Sequence, residues 1–286
     1  MRFLISAGTL VACIVSTGLS STSAAQTWFG SPQAPAGLNT ADLVLVEDFE
    51  GASTLVDEAI EGTTSTVTNA TSAGGQRCLS MDNSSNGLFS YRFPLGAGFD
   101  ALYARYMFKV GNASSSCWGT DQHYKNMGFE GGTTECKGGS YVSDGTDCFT
   151  VRTRFNWPGI GFRIEGYPGN IDDTNGSVDV ADGDWHCFEM LVRLNDPSRS
   201  DGEVRFWVDG IEKVHPGLQF RVVDTLKIDK WWFTYWSNDQ FCGPLYIDDL
   251  VVSRARIGCP GTPPPPEAPR PMAPANVRVT IVQEKN

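Results

Sequence analysis

From about Ala41 to Cys259 no helical period is sustained; apolar and polar residues alternate in short runs, each closed by Gly, Asn, Asp or Pro. Successive side chains of an extended chain point to opposite faces, so this is the pattern of half-buried strands. The runs are Leu43–Phe49, Leu88–Phe93, Leu102–Val110, Phe149–Phe155, Gly161–Glu165, Cys187–Leu194, Glu203–Asp209, Ile228–Trp236 and Leu245–Ser253. Asp209-Gly210 suits a tight hairpin turn, and Thr54–Ile60 is expected to form at most a helical turn. With no alternation of strands and helices and no internal repeat, the expected fold is all-β, an antiparallel sandwich or jelly roll.

The two ends read differently. Phe3 to Leu19 is an apolar run behind Arg2, followed by small residues through Ser23-Ala24-Ala25. That is a secretory signal cleaved after Ala25; acylation at Cys13, within Leu10-Val11-Ala12-Cys13, is the second reading. Pro263 to Pro274 is a stiff, solvated linker, and a short alternating tail follows it. The expected organisation is therefore a signal peptide (1–25), an N-terminal segment (26–40), one β domain (41–259), a Pro-rich linker (260–275) and a tail (276–286). No later segment is apolar enough to span a bilayer. A secreted, extracellular or periplasmic monomer is expected.

A net charge of −11 argues against a chain-wide nucleic-acid surface but leaves room for a local basic site. Past Cys13, the cysteines are Cys78, Cys117, Cys136, Cys148, Cys187, Cys242 and Cys259, with no metal-binding spacing. Disulfides are expected, with one thiol left over and a bridge tethering the Gly-rich loop around Cys117, Cys136 and Cys148.

Strand parity sorts the charged residues. If Phe149, Val151, Thr153 and Phe155 face the core, Arg152 and Arg154 face away. The same logic sets Arg163, Glu165 and Tyr167 opposite Ile160, Phe162 and Ile164, Arg193 opposite Val192, and Arg205 with Trp207 opposite Phe206. In Trp231–Trp236 both faces are aromatic, so either Trp232 and Trp236 or Trp231 and Tyr235 are left outside a one-sided core. If a curved sheet gathers these groups, its outer face becomes a groove of guanidinium groups and aromatic rings, suited to carboxylates and sugar rings.

Gly183-Asp184-Trp185-His186-Cys187, Val192-Arg193-Leu194-Asn195, Asp201-Gly202 and Trp207-Val208-Asp209-Gly210 resemble the scaffold motifs of jelly-roll polysaccharide lyases of the alginate and glucuronan lyase type. These belong to the wider concanavalin A-like lectin and glucanase group. Leu245–Ser253 resembles its closing strand and Asp42–Gly51 its opening strand, so the resemblance covers nearly all of 41–259. It implies a concanavalin A-like antiparallel jelly roll. Tyr124–Gly132 is similar to the lyases' active-site loop and keeps its lysine as Lys125. Thr150-Val151-Arg152 is similar to their Ser-x-Arg strand, with Arg152-Thr153-Arg154 a rival alignment. Glu165-Gly166-Tyr167 matches the second residue of their Tyr-x-Tyr pair and carries Glu165 in place of the first.

The resemblance implies β-elimination on a uronate polymer. A cation neutralises the carboxylate, a base takes the C5 proton, and an acid protonates the departing O4. Lys125, Arg152, Tyr167 and the nearby His123 are the expected catalytic groups. Arg154, Arg163, Glu165, Arg193, Arg205, Trp207, Trp232 and Trp236 are expected to bind substrate. No cofactor is needed for this chemistry. Glu47, Asp48, Asp248 and Asp249, on opening and closing strands, read either as turn groups or as ligands of a structural calcium ion. The expected partner is an acidic polysaccharide. A non-catalytic carbohydrate-binding module is the alternative, and a retaining glycosidase is disfavoured because no E-x-D-x-x-E strand is present.

Overall fold

A computed structural model describes residues 27–28, 35–51, 66–81, 89–111, 124–133, 136, 143–156, 159–173, 178–235 and 243–261. The segment read as a secretory signal, Thr54–Ile60, most of the Pro-rich linker and the tail lie outside them. The described chain is all-β. Its strands are β1 (Thr27–Trp28), β2 (Leu43–Glu47), β3 (Thr66–Thr68), β4 (Cys78–Met81), β5 (Phe89–Phe99), β6 (Ala101–Val110), β7 (Tyr124–Gly132), β8 (Cys148–Asn156), β9 (Gly159–Glu165), β10 (Ile171–Asp173), β11 (His186–Arg193), β12 (Gly202–Val208), β13 (Ile211–Leu218), β14 (Ile228–Tyr235) and β15 (Leu245–Ser253).

They form two sheets. The nine-stranded sheet runs β1-β2-β15-β6-β11-β12-β13, with β4 against β15 and β3 against β4. The six-stranded sheet runs β10-β9-β8-β7-β14-β5. Every pairing is antiparallel except that of the short β1 with β2. Strands distant in sequence are neighbours in both sheets, as a jelly roll requires.

One apolar core lies between the sheets. Tyr106 of β6 meets Trp231 of β14 at 6.3 Å between ring centroids, and its hydroxyl lies 3.1 Å from that of Thr153 on β8. Phe162 of β9 meets Phe206 of β12 at 5.9 Å, and Phe108 of β6 meets Phe155 of β8 at 5.7 Å. Strands far apart in sequence share these contacts, and Leu43, Val46 and Val251 form a separate small cluster. The expected parity holds: Phe149, Val151, Phe155, Ile160, Phe162, Ile164, Trp231 and Phe233 are all buried in the core between the sheets.

Local chemistry explains the turns. Asp209 and Gly210 have φ of 50° and 83°, the left-handed pair of a two-residue hairpin between β12 and β13. β5 runs on past the expected Phe93 through Pro94, which its edge position tolerates because no ladder donor is needed on its open side. Disulfides join Cys136 to Cys148, closing the Gly-rich segment, and Cys187 to Cys259, tying the end of the domain to β11. Among the described cysteines Cys78 keeps a free thiol; burial and then the Asp248 charge push it up to about 12, so it is an inert core group. No helix among the described residues is long and apolar enough to cross a membrane.

Candidate active face

The face of the six-stranded sheet turned away from the core carries a dense polar lattice. Strand register lays out its central row: Arg92 of β5, Trp232 of β14, Gly128 of β7, Arg152 of β8, Arg163 of β9 and Asp172 of β10. One row along lie Lys230, Glu130, Thr150 and Glu165. One row the other way, Arg154 pairs with Lys125 on one side and Gly161 on the other.

The arginines on this face already have carboxylate partners. Arg152 forks onto Glu165, with Nη2 to Oε1 at 2.7 Å and Nε to Oε2 at 3.2 Å. Arg163 donates to the same Glu165 at 2.8 Å and reaches Asp172 at 3.1 Å. Asp172 also accepts from Arg154 at 2.5 Å. At the other end Arg92 pairs with Glu130 at 2.5 Å, and Thr150 donates to that carboxylate at 3.2 Å. Burial raises the Glu130 carboxyl above its ordinary range, against the pull of Arg92. Burial also lowers Arg152, while Glu165 opposes that change.

These contacts correct several expectations. Arg152 and Glu165 are 1% and 3% exposed, so Arg152 is a buried, spoken-for cation rather than an open neutraliser of substrate. Trp232 is only 8% exposed, with the Arg92 guanidinium 4.7 Å and that of Arg152 5.8 Å from its ring centroid. It is an arginine platform, not a bare sugar-stacking surface. Arg193, Arg205 and Trp207 do face away from the core, but β11 and β12 belong to the nine-stranded sheet, so they lie on the opposite side of the sandwich. There Arg193 pairs with Glu203 at 3.0 Å, Arg205 pairs with the same carboxylate, and Arg256 covers Trp207 at 4.0 Å. They form a separate surface.

The expected catalytic set is also divided. Lys125 lies level with Arg154, whereas Glu165 lies level with Thr150, four residues away on β8. At a rise of ~3.3 Å per residue those rows are about 13 Å apart. Tyr167 lies further still, past the end of β9, where it is half-buried beside the Gly145 turn. The backbone register therefore does not bring Tyr167 to Lys125. His123, Trp236 and the side chain of Lys125 lie outside the described residues. His186 and His215 are not on this face: His186 sits between Asp182 and Asp209, and His215 packs edge-on to Phe162.

Three of the four carboxylates expected at a calcium site are engaged in turns. Glu47 accepts from the amide of Phe49, Asp48 from Glu50, and Asp248 from Ala73, Gly74 and Asp249. Burial raises the Asp248 carboxyl to about 7. Among the described residues no three or more His, Cys, Asp or Glu side chains are grouped to hold a metal ion. The turn-group reading fits these contacts.

Sequence reasoning missed Arg92, Glu130 and Asp172. Arg92 alternates with Phe93 and was findable by parity; Asp172 sits on a three-residue edge strand too short to show a period. Asn126 and Thr234 were missed as well. Their buried side-chain polar atoms have no hydrogen-bond partner among the described residues, the condition in which a bound water or a ligand hydroxyl fits.

The fold is an antiparallel β-jelly roll, a two-sheet sandwich with a polar outer face on the smaller sheet. Among solved structures it is similar to the marine PL-14 alginate lyase from Aplysia kurodai. The identity is 13%, with 73% of this chain and 98% of that one covered and a TM-score of 0.54. It is also similar to the endo-β-1,4-glucuronan lyase from the fungus Trichoderma reesei (15% identity, 68% and 89% covered, TM-score 0.49). The binding domain of Paraclostridial Mosquitocidal Protein 1 shares the fold too (9% identity, 76% and 50% covered, TM-score 0.52). No protein-family model matches the sequence, and no curated protein matches it. A fold shared by a lyase and a binding domain leaves the chemistry to be argued from the site.

Proposed function

We propose that the outer face of the six-stranded sheet engages a uronate-containing polysaccharide and that the protein cleaves it by β-elimination. The observation that carries this reading is the convergence of Arg154, Arg163 and the Lys125 strand position at one end of that face. Two guanidinium groups there neutralise a uronate carboxylate and so acidify the C5 proton. Lys125, level with Arg154, takes that proton and returns it to the departing O4 as the C4–O4 bond breaks; a neighbouring cation lowers a lysine's pKa and leaves more of it in the basic form. The fold's likeness to the Aplysia alginate lyase supports the polymer class only as an analogy.

A binding module without turnover is the second reading, favoured by the carboxylates Glu165 and Asp172 that already occupy the arginines. Kinetics on alginate and glucuronan separates the two. The lyase reading expects unsaturated product from wild type and a loss of at least about a hundredfold in Lys125→Met, the lower range for a general base. Tyr167→Phe should stay within about twofold of wild type, because its row is remote from the proton transfer. Absence of product from wild type, with the polymer still bound, would establish the binding module instead.

A further inference from the structure

The two carboxylates in the arginine lattice differ in exposure. Glu165 is 3% exposed and held by Arg152 and Arg163. Asp172 is 32% exposed, stands on a three-residue edge strand paired only with β9, and is gripped by Arg154 and Arg163 at 2.5 Å and 3.1 Å. Arg154 is only 4% exposed and Arg163 20% exposed, so the carboxylate between them is the open end of a buried clamp. A short edge strand is also the part of a sheet that opens at least cost.

Resting on the polyuronate reading above, we propose that Asp172 is a displaceable stand-in for the substrate carboxylate, and that Arg154 and Arg163 form the uronate-carboxylate subsite. On binding, the sugar carboxylate takes the place of Asp172 between the two guanidinium groups. Glu165 stays, anchored by Arg152, and keeps Arg163 oriented through the exchange. In a chain of net charge −11, this exchange admits a polyanion while a carboxylate stays beside the buried Arg154 in its absence.

The test is calorimetric titration of the full-length protein with an alginate hexasaccharide and with the same oligosaccharide after reduction of its carboxyl groups. A site blocked part of the time binds with an apparent affinity reduced by its open fraction. Asp172→Asn should therefore bind the acidic hexasaccharide at least about threefold tighter than wild type. Asp172→Glu should bind like wild type, and the carboxyl-reduced ligand should not distinguish the variants. A structural Asp172 predicts the opposite sign: equal or weaker binding by a folded Asp172→Asn protein overturns the proposal. If that variant does not fold, Arg163→Gln decides. It should lose at least about tenfold for the acidic ligand alone, as a charge-assisted contact demands, and an unchanged affinity overturns the subsite. Wild type that binds neither ligand would defeat the polyuronate reading itself; wild type that binds the acidic ligand while the variants fail these tests defeats only the role of Asp172.

Discussion

Arg152 shows how burial changes what a residue can be asked to do. By strand parity it is an exposed cation; in the fold it is an ion pair with Glu165 closed to water. Removing one member of such a pair leaves an uncompensated buried charge. Glu165→Ala should therefore cost about 3–5 kcal/mol in denaturant unfolding, far more than a surface pair, which is worth ~1 kcal/mol or less. Arg152→Ala should be similarly costly, so a loss of turnover in that variant must be read beside its stability. His186 supplies a pH-dependent case. Burial opposes its charged form, but the hydrogen bonds its ring donates to Asp209 and Asp182 outweigh it and raise the ring from 6.5 to about 8. The proton is bound more tightly in the folded state, so this stabilisation is complete below about 6.5 and disappears as pH rises through about 8. The stability difference between wild type and His186→Gln, measured by thermal melting across that window, should shrink with rising pH. A difference that stays constant would remove the ion pair from the account.

At the scale of elements, β7 is where sequence and structure part. The resemblance implies that Tyr124–Gly132 is an active-site loop, yet it is a strand inside the six-stranded sheet, between β8 and β14. Its glycines are the reason it fits. A Cβ on Gly128 would lie 2.0 Å from the carbonyl oxygen of Val151, and one on Gly131 would lie 2.2 Å from that of Lys227. Gly128→Ala should accordingly destabilise the domain by at least ~3 kcal/mol, the upper range for overpacking, and melting curves will show it. The parity of β8, β9 and β12 was legible, because alternation survives wherever one face is apolar. What parity cannot tell is which sheet a strand joins. Arg163 and Arg205 look alike in sequence, and long-range pairing sends one to each side of the sandwich. The ion partners were hidden for the same reason: Arg92 and Glu130, or Arg154 and Asp172, become neighbours only once the register is set.

For the whole molecule, the all-β sandwich was legible from punctuation and period alone, and so was a bridge at the Gly-rich loop, while the pairing of Cys187 with Cys259 was not. Cys187–Cys259 closes a separation of 72 residues and Cys136–Cys148 one of 12. Chain entropy assigns about 4 kcal/mol to the first and about 3 kcal/mol to the second, so the Cys187→Ala/Cys259→Ala protein should melt lower than its Cys136→Ala/Cys148→Ala counterpart. The central claim concerns chemistry on one face of this scaffold, and the masses of fragments released from alginate and glucuronan test it most directly. β-Elimination leaves each new non-reducing end short of a water and carrying a conjugated double bond, whereas hydrolysis adds the water. The account predicts unsaturated fragments from wild type and none from Lys125→Met. Saturated fragments, or an intact polymer at every enzyme concentration, would contradict it.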